Sequence, residues 1–139
     1  MNYRVFNDLI VVRLDKGDEI TESLLSVAKK ENVTLADITG IGATDDFTVG
    51  VFDIKKGDYN RLRYEGNHEI NSLVGNVTTK DGAPYLHLHI TCTGGDGSVV
   101  GGHLFSARIS LTAEIFIHRA EATLNRAFDP ALAINRIEF

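Results

Sequence analysis

Apolar and polar residues alternate along most of this chain, and one early stretch breaks that rhythm. Leu9-Ile10-Val11-Val12-Arg13-Leu14 is a short β-branched run that predicts a strand. After the turn Asp15-Lys16-Gly17, apolar residues fall at helical spacing, with Ile20, Leu24, Val27 and Ala28 on one stripe. Asp18 is the expected N-cap. Glu19 and Glu22 suit the positive end of the helix dipole, Lys29 and Lys30 the negative end, and Asn32 closes the element.

From there the period shifts to two. Ala36 to Ala43, Phe47 to Ile54, Tyr59 to Glu65 and Glu69 to Thr79 each predict a strand, separated by turn residues such as Lys55-Lys56-Gly57-Asp58 and Lys80-Asp81-Gly82-Ala83-Pro84. In Tyr85-Leu86-His87-Leu88-His89-Ile90-Thr91-Cys92 the alternation is complete. Leu86, Leu88, Ile90 and Cys92 share a core face, and Tyr85, His87, His89 and Thr91 share the other. Thr93-Gly94-Gly95-Asp96-Gly97 is turn chemistry, followed by a return strand from Ser98 to Phe105. Ala107 to Ile117 then reads as a strand whose apolar face is Ala107, Ile109, Leu111, Ala113, Ile115 and Ile117. The tail is expected to hold a helical turn and a short strand, Ile134 to Phe139. One helix against six or more strands joined by short turns predicts an α+β fold with a largely antiparallel twisted sheet, in a single domain spanning 1–139.

Composition narrows the function classes. With 14 basic and 19 acidic residues the net charge is −5, which argues against non-specific binding to a phosphate backbone. A single cysteine, Cys92, excludes an internal disulfide and suits a reducing compartment. No apolar run approaches the roughly 20 residues that span a bilayer, and the N-terminal segment is too polar for a signal peptide, so a cytoplasmic protein is expected.

The histidines carry the candidate chemistry. His87 and His89, at i and i+2 of a strand, point the same way and can converge on one cation. A hairpin loop centred on Gly95 sets His103 directly across from His87, on the same face, and Gly101 opposite His89, where a glycine leaves room for water or a ligand. Three imidazoles with an open fourth position fit catalytic zinc better than closed structural zinc, although iron, copper, nickel and cobalt accept the same donors. Glu69, Glu114 and Tyr85 are candidates to support the site or move protons, and Arg61, Arg63 and Arg108 to hold an anion. His68 and His118 read as surface residues, and Cys92 as a buried, inert thiol.

Thr39-Gly40-Ile41-Gly42-Ala43, His68-Glu69-Ile70-Asn71-Ser72-Leu73-Val74-Gly75-Asn76, His87-Leu88-His89 and Gly101-Gly102-His103-Leu104, in this order, resemble the plants and prokaryotes conserved (PPC) domain family. The closing Leu111-Thr112-Ala113-Glu114-Ile115 extends the resemblance over nearly the whole chain. It implies a compact α+β domain assembling into homotrimers, a zinc-type site at His87, His89 and His103, and a family label of DNA binding. The Arg-Gly-Arg-Pro hook that precedes the domain in plants is not in this sequence, which weakens that label here. The fold class also resembles acetolactate decarboxylase, an enzyme with a His-x-His pair and a third histidine. The expected function is therefore a trimeric metal-binding regulatory or interaction module. The alternatives are a small zinc-dependent enzyme acting on a carbonyl or carboxylate compound, and DNA binding by a patch formed only in the trimer.

Overall fold

The computed structural model covers residues 1–139. Its elements, in chain order, are β1 (Asn2–Phe6), β2 (Leu9–Asp15), α1 (Ile20–Lys30), β3 (Ala36–Asp53), β4 (Asp58–Lys80), β5 (Ala83–Gly94), β6 (Val99–Arg119), β7 (Arg126–Asp129) and β8 (Ile134–Ile137). The six long strands form one antiparallel sheet in the order β1-β2-β6-β3-β4-β5, and β5 also pairs with the start of β6. That extra pairing closes β3, β4, β5 and β6 into a ring. β7 and β8 make a separate two-stranded ribbon. No helix is long and apolar enough to cross a membrane.

The expected α+β architecture is present, with longer strands than the alternation suggests. Ala36–Ala43 and Phe47–Ile54 are the halves of β3 apart from Ile54, which is in the following turn; Tyr59–Glu65 and Glu69–Thr79 lie within β4, and Ser98–Phe105 (from Val99) and Ala107–Ile117 lie within β6. The polar and glycine residues between them are irregularities inside continuous strands. Register shifts occur at Gly40/Gly42 and Thr44/Asp46 on β3 and at Ile70/Ser72 on β4. Such bulges bend a strand without ending it. β1 and β7 are additional to the expected strands, and in place of the expected helical turn the tail holds β7 and β8 joined by a turn at 130–133.

The core lies between the inner face of the sheet and α1. Ile20, Leu24, Val27 and Ala28 of the helix are buried as expected, against Ile10, Val12, Leu14, Ile38, Phe47, Leu73, Leu88, Ile90, Ile109 and Ile115 among others. Two expectations need correction. Asp18 does not cap α1: Glu19 is the N-cap, its Oε2 accepting from the Glu22 N–H at 2.7 Å. Asp18 instead accepts the Asp15 N–H and pairs with the Met1 amine at 2.7 Å. Leu111 is not core but 71% exposed. Thr44 pairs with Ile109 and Gly42 with Ala113, so β6 carries a longer segment than β3 between these points, and Leu111 sits on the outward loop of that bulge.

Glycine lets the ring close around β5. A Cβ on Gly75 would lie 2.0 Å from the His87 carbonyl oxygen, whereas one on Gly95 would meet nothing within 4 Å. Gly75→Ala is expected to destabilise the protein by about 1–3 kcal/mol through overpacking, and Gly95→Ala by less than about 0.5 kcal/mol. Urea denaturation of the two variants measures the difference.

Candidate metal centre

The β5–β6 hairpin sets the three histidines. The Gly94 N–H donates to the Ser98 carbonyl at 2.9 Å, so the loop is centred on Asp96 rather than Gly95. His103 consequently pairs with His89, and Gly101 with Thr91. The expected oppositions of His103 to His87 and of Gly101 to His89 are therefore both wrong by two residues. A two-residue shift preserves parity, and all three rings remain on the outer face. One ring nitrogen from each histidine lies within 4.8 Å of the others. Ring centroids are 5.2–5.4 Å apart.

Neighbouring strands extend the site. Along one row across the sheet lie Phe116, Thr39, Val74, His89, His103, Gly50 and Arg61. Gly50 has no side chain, which leaves space for Tyr59 and Phe105: a Cβ there would fall 2.7 Å from the Phe105 ring. Tyr59 stacks on His103 with centroids 4.7 Å apart, and Phe105 meets the same imidazole edge-on at 5.1 Å. Arg61 lies over Phe105, 4.1 Å from the ring centre. The tail supplies the other wall. Arg126, only 8% exposed, donates to Thr78 Oγ1, the Asn135 carbonyl and Asn76 Oδ1 at 2.8–3.0 Å, and its Nη2 is 3.5 Å from His87 Nδ1. Tyr85 stands beside that guanidinium, with Asn135 Nδ2 3.4 Å from its hydroxyl.

The environment favours the neutral form of two of the imidazoles, His87 and His103. Burial, reinforced by His87, His89 and Arg61, holds His103 at about 4. Burial also lowers His87, helped by the charge of Arg126 and by His89. Arg126 can only donate, so the His87 Nδ1 facing it keeps its lone pair. Burial of the Tyr59 hydroxyl, with Tyr85 nearby, raises its pKa.

These features fit a divalent transition metal. Tetrahedral zinc with Zn–N bonds of about 2.0–2.1 Å holds its ligand nitrogens roughly 3.3 Å apart, within reach of small ring rotations from the separations here. His103 Nδ1 is buried and has no hydrogen-bond partner, an arrangement that native proteins avoid unless something else satisfies the atom.

The other sequence candidates divide. Tyr85 and Arg61 adjoin the histidines. Arg63 does not serve them: it is bidentate to Asp46 at 2.9 Å and pairs with Glu65. Arg108 is held by Asp45 at 3.0 Å. Glu69 and Glu114 line a groove with Ile41, Asn71, Leu111 and Thr112, separate from the histidines. Cys92 is fully buried, and burial pushes its thiol up to about 12. His68 is half-buried, its ring edge-on to Phe47. Arg126, Asn76 and Tyr59 were missed. The Lys80–Ala83 turn would have revealed Asn76 opposite His87, but nothing in the local pattern points to Arg126.

Residues 1–121 match the family described as the Plants and Prokaryotes Conserved (PCC) domain. The chain belongs to this family. Solved structures related to this PCC-domain protein agree over almost their full length. A candidate DNA-binding protein from Bacteroides thetaiotaomicron is 29% identical with a TM-score of 0.96, covering 99% of this chain and 96% of that one. A metal-containing protein from Archaeoglobus fulgidus is 32% identical with a TM-score of 0.87, covering 97% and 95%. A plant- and prokaryote-conserved (PPC) protein from Pyrococcus horikoshii is 30% identical with a TM-score of 0.85, covering 97% and 94%. No curated protein sequence matches the chain.

In metal-free protein the depressed His103 makes acid destabilising. Unfolded, this ring titrates near 6.5; folded, it stays neutral down to about 4. Stability is therefore full above pH 6.5 and declines as the pH falls toward 4, because only the unfolded chain takes up the proton in that window. At about 1.4 kcal/mol per pH unit, and after discounting for partial exposure, the loss is on the order of 2 kcal/mol. Denaturation of metal-free wild type and His103→Gln at pH 7 and pH 4.5 should show a smaller pH dependence in the variant.

Proposed function

We propose that this PCC-domain protein is a metal-binding regulatory or interaction module that works as a homotrimer. A zinc-type ion is held by His87, His89 and His103. The observation that carries the reading is the cluster of three histidines, each offering a ring nitrogen within 4.8 Å of the others, in which the buried Nδ1 of His103 lacks a partner. The metal-containing Archaeoglobus relative adds support. So does chemistry: neutral imidazoles with no carboxylate among them suit zinc or a neighbouring transition ion rather than magnesium or calcium.

The trimer is supported by the outer sheet face, where Ile41, Val74, Leu111 and Phe116 are exposed and no element of the chain covers them. An apolar face of this kind marks an interaction surface. The whole chain is read as one domain, and its single buried thiol suits the cytoplasm. Direct DNA binding receives less support. The net charge is −5, and Arg63 and Arg108 are already paired with aspartates. The second reading, a small zinc-dependent enzyme, is favoured by the exposure of His89, which leaves an ion there reachable from solvent.

Metal analysis of purified protein should find one zinc per chain. His87→Ala and His103→Ala should each lower zinc affinity at least tenfold, and unchanged stoichiometry in both would sink the site. Light scattering should give three chains per particle. Retention on duplex DNA at low salt, lost steeply as salt rises, would reinstate DNA binding.

A further inference from the structure

The charges around the histidines do not balance within the chain. Arg126 is 8% exposed, yet its hydrogen-bond partners are a threonine hydroxyl, a backbone carbonyl, an asparagine amide oxygen and an imidazole. None is charged. A buried cation without a counter-ion is costly, and proteins ordinarily pair it. Five N–H donors meet four acceptors here, and His87 has no lone pair to spare for Arg126 once its ring ligates a metal, so Nη1 and Nη2 are each left with one free donor. Arg61, across the site, rests on Phe105 and also lacks an acidic partner. No carboxylate joins the histidine cluster. A divalent ion held by three neutral imidazoles keeps its full charge, so the occupied site would be strongly positive inside a protein of net charge −5. Zinc sites usually dissipate this charge through a carboxylate or thiolate ligand, or a carboxylate behind a histidine. This site has none of these.

We propose that the space bounded by His87, His89, His103, Arg61 and Arg126 binds a small carboxylate, whose negative charge is shared between the metal and the Arg126 guanidinium. The inference rests on the metal reading above. A carboxylate is preferred to phosphate because the guanidinium fork matches its planar pair of oxygens, and because Tyr59, Tyr85 and Phe105 give the site flat, weakly polar walls. Arg126 lies beyond the residues that match the family, on the ribbon formed by β7 and β8. The tail thus supplies the anion-recognising group and the sheet supplies the metal ligands.

The test uses glycolate, a small carboxylate that chelates zinc weakly, titrated by calorimetry into the zinc-loaded and metal-free full-length chain. In parallel, the visible spectrum of cobalt-loaded protein reports an anion entering the coordination sphere. Glycolate should bind the zinc form at least tenfold more tightly than the metal-free form. Arg126→Met should retain zinc but lose at least tenfold in glycolate affinity, and Arg126→Lys should lose less. Should Arg126→Met not fold, Arg61→Gln and Arg126→Lys carry the test, and wild-type glycolate affinity in both would overturn the proposal. A zinc-loaded chain that ignores glycolate also overturns it, while leaving the metal reading intact. Phosphate binding as tightly as glycolate would overturn the choice of carboxylate. A chain that takes up no zinc sinks the metal reading, and the carboxylate site with it.

Discussion

Pairing of β5 with β6 in a register of fixed parity is the constraint on which the site depends. Leu88, Ile90 and Cys92 on β5 and Leu104 on β6 are buried on the face that meets the helix, and this forces His87, His89 and His103 onto the other. A one-residue slip would expose those apolar side chains, each worth roughly 1.5–3 kcal/mol of burial, and would send His103 into the core. The core therefore holds the site in place without touching it. The difference between a loop centred on Asp96 and one centred on Gly95 changes which histidines are opposed but not which face they share.

A second organising feature is the segregation of charge. Two aspartates of β3 are committed to arginines, Asp46 to Arg63 and Asp45 to Arg108, and these pairs sit along the strands away from the imidazoles. Around the histidines only cations and neutral polar groups remain. Burial and neighbouring positive charge act together there, and both favour the neutral imidazole that binds a metal.

The row that carries His89 and His103 also carries Val74 and Phe116, so the histidines border the exposed apolar face. An assembly covering that face would bring a neighbouring surface close to the open side of the site. The tail ribbon approaches from another direction through Arg126 and Asn135, the latter reaching the Tyr85 hydroxyl of β5. The site is thus framed by segments far apart in sequence, two of them outside the hairpin that bears the histidines.

Local patterning determined a good deal by itself. The α1 stripe, the strict alternation of Tyr85–Cys92 and the shared face of His87 and His89 follow from periods of 3.6 and 2, which neighbours in the fold do not alter. Three things were beyond such reasoning. Bulges at Gly40/Gly42 and Thr44/Asp46 merged predicted strand pairs into β3, and the Gly42/Thr44 shift against β6 turned Leu111 outward, because a bulge depends on the pairing strand as much as on its own residues. Opposition across the hairpin depended on which loop hydrogen bonds formed, and Gly94–Ser98 won. The role of Arg126 came from contacts with residues up to 50 positions away, which no pattern in the tail encodes. The sequence alone was enough to put His87 and His89 on one face. The tertiary structure decided what surrounds them, since the burial and charge that tune an imidazole come through space from every strand packed beside it.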